Sequence, residues 1–143
     1  MRGNGFSLLE VLAVVGLLAV LVLVAAPRLL VPESLQVGVA ARQLAADLRL
    51  AQRLAIARRV DMLVEFSPAA PPYAQYVVRQ SGGAVEPDFP KDFDGVTVAG
   101  PPQFAFRPNG AGSADGSVTV SAGGRTATVQ VVAVTGRVIL TGP

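Results

Sequence analysis

Hydrophobic and polar positions follow three different rhythms along the chain. Over residues 6–26 only Ser7 and Glu10 are strongly polar, and Gly16 is the lone glycine. At 1.5 Å per residue this stretch makes about 31 Å of helix, enough to span a hydrocarbon core of ~30 Å. Beyond it, Val37, Ala41, Leu44, Leu48, Ala51 and Ala55 return at steps of three and four, which predicts an amphipathic helix capped by Ser34 and running to about Arg59. Arg42, Gln43, Arg49, Gln52, Arg53 and Arg59 fall mostly outside that stripe. Pro27 and Pro32 interrupt the helix donors between the two segments, predicting a bend at Pro27 or a locally melted turn.

After Asp61 the period shortens to that of strands. Short β-prone runs begin with Met62-Leu63-Val64-Glu65-Phe66 and Tyr76-Val77-Val78, followed by Val96-Thr97-Val98, Phe104-Ala105-Phe106 and Val118-Thr119-Val120. Residues 126–134 and 137–140 complete the set. Pro- and Gly-rich turns such as Pro108-Asn109-Gly110 and Ala122-Gly123-Gly124 separate them. The pattern predicts an α+β fold, one long helix packed on an antiparallel sheet. Its regions are a short head at 1–5, an apolar helix at 6–26, the amphipathic half at 27–60 and a β-rich globular part at 61–143.

Composition narrows the chemistry. Among 143 residues there is no cysteine and no histidine, which excludes disulfides, thiolate or imidazole metal sites, and both Cys nucleophiles and His bases. No Walker A or dinucleotide glycine pattern is present, so an enzyme is the class the sequence supports least. The net charge of +2 is slight and does not by itself argue for nucleic acid. Glu86, Asp88, Asp92 and Asp94 crowd one stretch, yet without the ligand order of a calcium loop they read as a solvated acidic loop.

Glu10 is the odd residue of the apolar stretch. A charge at the bilayer centre costs ~2.5–3.5 kcal/mol on insertion scales, but Glu10 stands one helical turn after Phe6, near the membrane entrance. It either reaches back to the headgroups or meets an ammonium. A chain beginning at Phe6 would offer such an ammonium, its own or that of a neighbour one step out of register in a helical stack. The uninterrupted apolar run also exceeds the ~7–15 residues usual in a cleaved secretory signal, so a retained anchor fits better. A short head and a large tail insert most simply with the head in the cytoplasm and the tail exported, although the flanking charges of Arg2 and Arg28 give no vote.

Gly5-Phe6-Ser7-Leu8-Leu9-Glu10, behind a leader carrying Arg2 and before an apolar helix, resembles the class III signal of type IV pilins and type II secretion pseudopilins. The resemblance implies that prepilin peptidase cuts between Gly5 and Phe6 and methylates the new terminal amine of Phe6. It also implies that Glu10 neutralises a neighbour's terminus during filament assembly on an inner membrane platform. Pro27 matches a proline common in such helices. Phe106-Arg107-Pro108-Asn109-Gly110 and Thr135-Gly136-Arg137-Val138 look like two sheet motifs of the minor pseudopilin group named after GspH and FimT, with 68–100 left unmatched.

The implied role is a minor pilin or pseudopilin with other pilins as partners, no cofactor and no small-molecule substrate. It would reside in the inner membrane as a single-pass protein with its β-rich part in the periplasm or at the cell surface. The alternative is a DNA-uptake pilin in which Arg107, Arg125 and Arg137 gather into a phosphate-binding patch. A G-R-x-R element is implicated in DNA capture in the FimT branch, and here Gly136-Arg137-Val138-Ile139 lacks the second arginine. An unrelated anchored domain, the third reading, would tolerate a Glu10→Ala change and show no cut at Gly5.

Overall fold

The computed structural model describes residues 8–25 and 33–142, in two compact units that divide after Pro32. In the first unit, helix α1 (Leu8–Ala25) is apolar on every side, and each Leu and Val from Leu8 to Leu21 is more than half exposed. A helix without a polar face is one that buries itself in lipid or among other helices. Its 18 residues rise about 27 Å, and among the described residues no helix is long and apolar enough to cross a membrane. The remainder of the predicted span, with Gly5, Phe6 and the Pro27 bend, lies outside the described residues.

The second unit is built on helix α2 (Glu33–Arg58). Val37, Ala41, Leu44, Leu48, Ala51 and Ala55 are all fully buried, so the stripe read from the sequence is the core face. The helix starts at Glu33, which puts Ser34 inside the first turn and not at the cap. It stops where Arg59 takes a left-handed φ of 58° and the Val60 N–H bonds the Ala55 carbonyl at 3.3 Å, a closing geometry that glycine usually supplies.

Eight strands follow: β1 (Met62–Ser67), β2 (Gln75–Gln80), β3 (Lys91–Asp92), β4 (Thr97–Ala99), β5 (Gln103–Phe106), β6 (Gly116–Ala122), β7 (Arg125–Val132) and β8 (Arg137–Thr141). They form two four-stranded sheets, ordered β3-β2-β1-β5 and β4-β6-β7-β8, with every pairing antiparallel. The expected single sheet is therefore two. β4 belongs to the second sheet and β5 returns to the first, a switch that short-range pattern does not encode. β3 was not expected either, because two polar residues carry no strand signal; they pair with β2 through Tyr76↔Lys91 and Gln75↔Asp92.

Alternation places Met62, Val64 and Phe66 of β1, Tyr76 and Val78 of β2, and Val118, Val120, Val129 and Val131 of β6 and β7 in one core with α2. Aromatic rings close one end of the first sheet, with Phe66 stacked on Tyr73 at 5.1 Å and Tyr76 on Phe93 at 5.0 Å. Leu48 is fully buried in this core. Leu48→Ala should therefore lower the unfolding free energy by about 2–5 kcal/mol, measured by denaturant titration, with the exposed Arg42→Ala close to wild type as the control.

Candidate functional site

The two sheet motifs of the sequence meet at one corner of the domain, and a single side chain joins them. Gln52 on α2 donates from Nε2 to the Gly110 carbonyl at 2.7 Å and to the Thr135 carbonyl at 3.0 Å. Two backbone acceptors from separate turns thus share one amide, which fixes turn 107–110 against turn 133–136. Glycine is required in both turns. Gly110 (φ 83°) and Gly136 (φ 62°) hold left-handed conformations, and a Cβ on Gly136 would collide with the Gly110 carbonyl and the Gln52 amide. Arg49 adds a bond from Nη2 to the Val138 carbonyl at 3.2 Å. These contacts explain the glycines of both motifs in terms of packing.

The opposite flank of α2 carries a strap. Arg58 forms a bidentate ion pair with Glu86, its second arm at 3.1 Å. Lys91 Nζ lies 2.8 and 3.0 Å from the two oxygens of Asp47, and Gly95 packs against the Gln36 side chain. Gln36, Asp47 and Arg58 are spaced by eleven residues, just over three whole turns, so all three point nearly the same way and the segment 86–95 lies along that side of the helix.

Asp47 is the one buried acid among the described residues. Besides Lys91 it accepts a bond from the Tyr76 hydroxyl at 2.6 Å, and the ammonium of Lys91 sits 4.8 Å from the centre of the Phe89 ring. Burial, reinforced by the Asp47 carboxylate, pushes the Tyr76 hydroxyl well above its ordinary pKa of 10. Asp47 is thus no counter-charge for the surface arginines, and Arg58 leaves their company to hold Glu86. Among the described residues no group of three or more acids is placed to hold a metal ion.

The arginines proposed to gather do so only in part. Arg107 begins the turn that ends at Gly110, and Arg137 follows Gly136, so both belong to the corner. Arg125 starts β7, whereas Arg137 pairs with Val132 at the other end of that strand. Seven residues of strand put roughly 24 Å between the two ends, so Arg125 is not part of any common patch. Glu10 lies in the first turn of α1 and is exposed.

The family described as type II transport protein GspH matches residues 40–136, about two thirds of the chain. The chain belongs to that family. Solved structures that share its fold include the type IV minor pilin FimU of Pseudomonas aeruginosa and the minor pseudopilin EpsH from the type 2 secretion system of Vibrio cholerae. FimU is 18% identical with a TM-score of 0.62 and covers 75% of this chain and 92% of its own. EpsH is 14% identical with a TM-score of 0.62, covering 76% and 98%. No curated protein sequence matches significantly. The GspH match runs from α2 through the Gln52 corner to Gly136, so it includes both turns that the corner joins.

Two outcomes follow from these contacts. Gln52→Ala, which removes one part-buried and one exposed hydrogen bond, should destabilise this GspH-family domain by about 0.5–1.5 kcal/mol in denaturant unfolding. For Tyr76 the folded pKa exceeds the unfolded one, so its contribution is complete below pH ~10 and is lost as the pH climbs above that value. Thermal unfolding between pH 8 and 11 should show that decline, and Tyr76→Phe should flatten it.

Proposed function

We propose that this GspH-family protein is a minor pilin or pseudopilin, made as a single-pass membrane precursor and incorporated into a filament. The observation that carries the reading is α1: a helix whose apolar side chains are exposed all round, interrupted by the single carboxylate of Glu10. Such a surface needs lipid before assembly and neighbouring helices after it. Leu35 and Val39, one turn apart at the start of α2 and both more than half exposed, give the second unit an apolar surface of the same character.

In this reading prepilin peptidase cleaves between Gly5 and Phe6 and methylates Phe6. The charge of the new terminus is then met by Glu10 of a neighbour as the subunit leaves the inner membrane platform. Glu10 acts as a placed counter-charge, and the exported domain decorates, primes or caps a pilus or a secretion pseudopilus without catalysis of its own. DNA uptake is the second reading. It is favoured by Arg107 and Arg137 sharing one corner, and it is weakened by the separation of Arg125.

Intact mass and N-terminal sequencing of the protein from its native membrane should find a chain that begins with N-methylated Phe6. A chain that retains Met1, or starts near Pro27, would overturn the reading. Glu10→Ala should leave cleavage intact and reduce recovery of the protein in sheared filaments.

A further inference from the structure

We infer that the outward face of α2 lies on an anionic lipid surface before assembly, with phospholipid headgroups seated against Arg42, Arg49 and Arg53. Along the helix, Leu35, Val39, Arg42, Ala46, Arg49 and Arg53 recur at alternating steps of four and three, and all six are exposed. At about 100° per residue, counted from Asp47, they fall at roughly 200–280°, whereas the buried stripe from Val37 to Ala55 is centred at roughly 80°. The exposed stripe therefore faces away from the core and from the strap.

Two kinds of side chain share this face. Leu35 and Val39, 57% and 59% exposed, occupy its first turns, and the arginines follow. None of its positions is acidic, and Arg42 and Arg53 have no ion pair among the described residues. Arg49 and Arg53, one turn apart, line an open groove of about 480 Å³ together with Ala46 and Gln52. One N–H of Arg49 is held by the Val138 carbonyl at 3.2 Å, which fixes the guanidinium at the groove and leaves its other donors for a phosphodiester.

Phosphates beside acyl chains are the chemistry such a face fits. Arginine takes the headgroup oxygens in its fork geometry, and the two aliphatic side chains enter the acyl boundary. A nucleic acid would supply the phosphates but leave Leu35 and Val39 against a polar surface. Only residues 26–32 separate α1 from α2, so a chain inserted through α1 presents this face to the bilayer at the high effective concentration of a short tether. Contacts too weak to recruit a free protein then suffice. The inference rests on the single-pass reading and adds an orientation to it: α2 lies along the membrane, and entry into a filament requires it to lift.

Because the chain has no cysteine, a fluorophore can be placed at one chosen site. Ala57 is exposed on the same side of α2, and an upright helix would carry it about 33 Å above Leu35. Gln130 is exposed between buried Val129 and Val131, so it points away from the core and from α2. Full-length Ala57→Cys and Gln130→Cys proteins are labelled and reconstituted, at few copies per vesicle, into equal parts of phosphatidylcholine and phosphatidylglycerol with a quencher on the headgroups. Quenching at Ala57→Cys should exceed that at Gln130→Cys about threefold or more, and should fall to the Gln130→Cys level in pure phosphatidylcholine, in high salt, or with Arg42→Glu and Arg53→Glu together. Equal quenching at the two sites overturns the inference. So does quenching indifferent to lipid charge or to the arginine reversal, or quenching that arises only at many copies per vesicle, where a neighbouring chain covers the face. Flotation after an alkaline wash reports the anchor independently. Protein that floats without the excess quenching at Ala57→Cys overturns this inference alone, whereas protein stripped from the vesicles overturns the single-pass reading and this inference with it.

Discussion

Helix α2 has to cover two sheets at once, and the small size of its buried side chains makes that achievable. Ala41, Ala45, Ala51 and Ala55 are buried together with Val37, Leu44 and Leu48, so strands of both sheets approach the helix closely on one continuous stripe. Every other feature of the second unit is arranged around the axis of that helix. The core occupies the middle, the Gln52 corner one flank and the strap the other, while Arg42, Arg53, Leu35 and Val39 face outward.

The parts of the fold that follow a period were legible in the sequence. The stripe of α2 and the alternating runs of β1, β2, β5, β6, β7 and β8 are local patterns that repeat several times, and each corresponds to a real element. Three things were not legible. The division into two sheets depends on the route of β4 and β5, the strap depends on single pairs distant in sequence, and β3 is two polar residues. Lys91–Asp47 spans 44 positions and Arg58–Glu86 spans 28, and no window contains both members. Even so, a lone lysine among eleven arginines and an aspartate beside an apolar stripe were signals that could have been weighed.

The motifs themselves were found for one reason and explained by another. Turn-like strings around Gly110 and Gly136 pointed to a family; the structure shows why glycine is needed, since both backbones must pass close to one glutamine. Gln52 falls outside the apolar stripe in sequence, where a side chain that satisfies two carbonyls looks no different from one that faces water. The separation of Arg125 has the converse reason. Arg125 and Arg137 are near in sequence, but an antiparallel hairpin sends them to opposite ends.

The eleven-residue spacing of Gln36, Asp47 and Arg58 also limits how this chain can vary in length. Deleting one residue between Asp47 and Arg58 would turn the arginine about 100° around the axis, away from Glu86, while leaving the lysine tether in place. A one-residue insertion would do the same in the other direction. Whole-turn changes keep the direction of Arg58 but slide it along the axis by about 1.5 Å per residue, so this part of α2 works as a ruler whose divisions are set by the strap. A change of length before Gln36 or in the turns of the sheets leaves this spacing untouched.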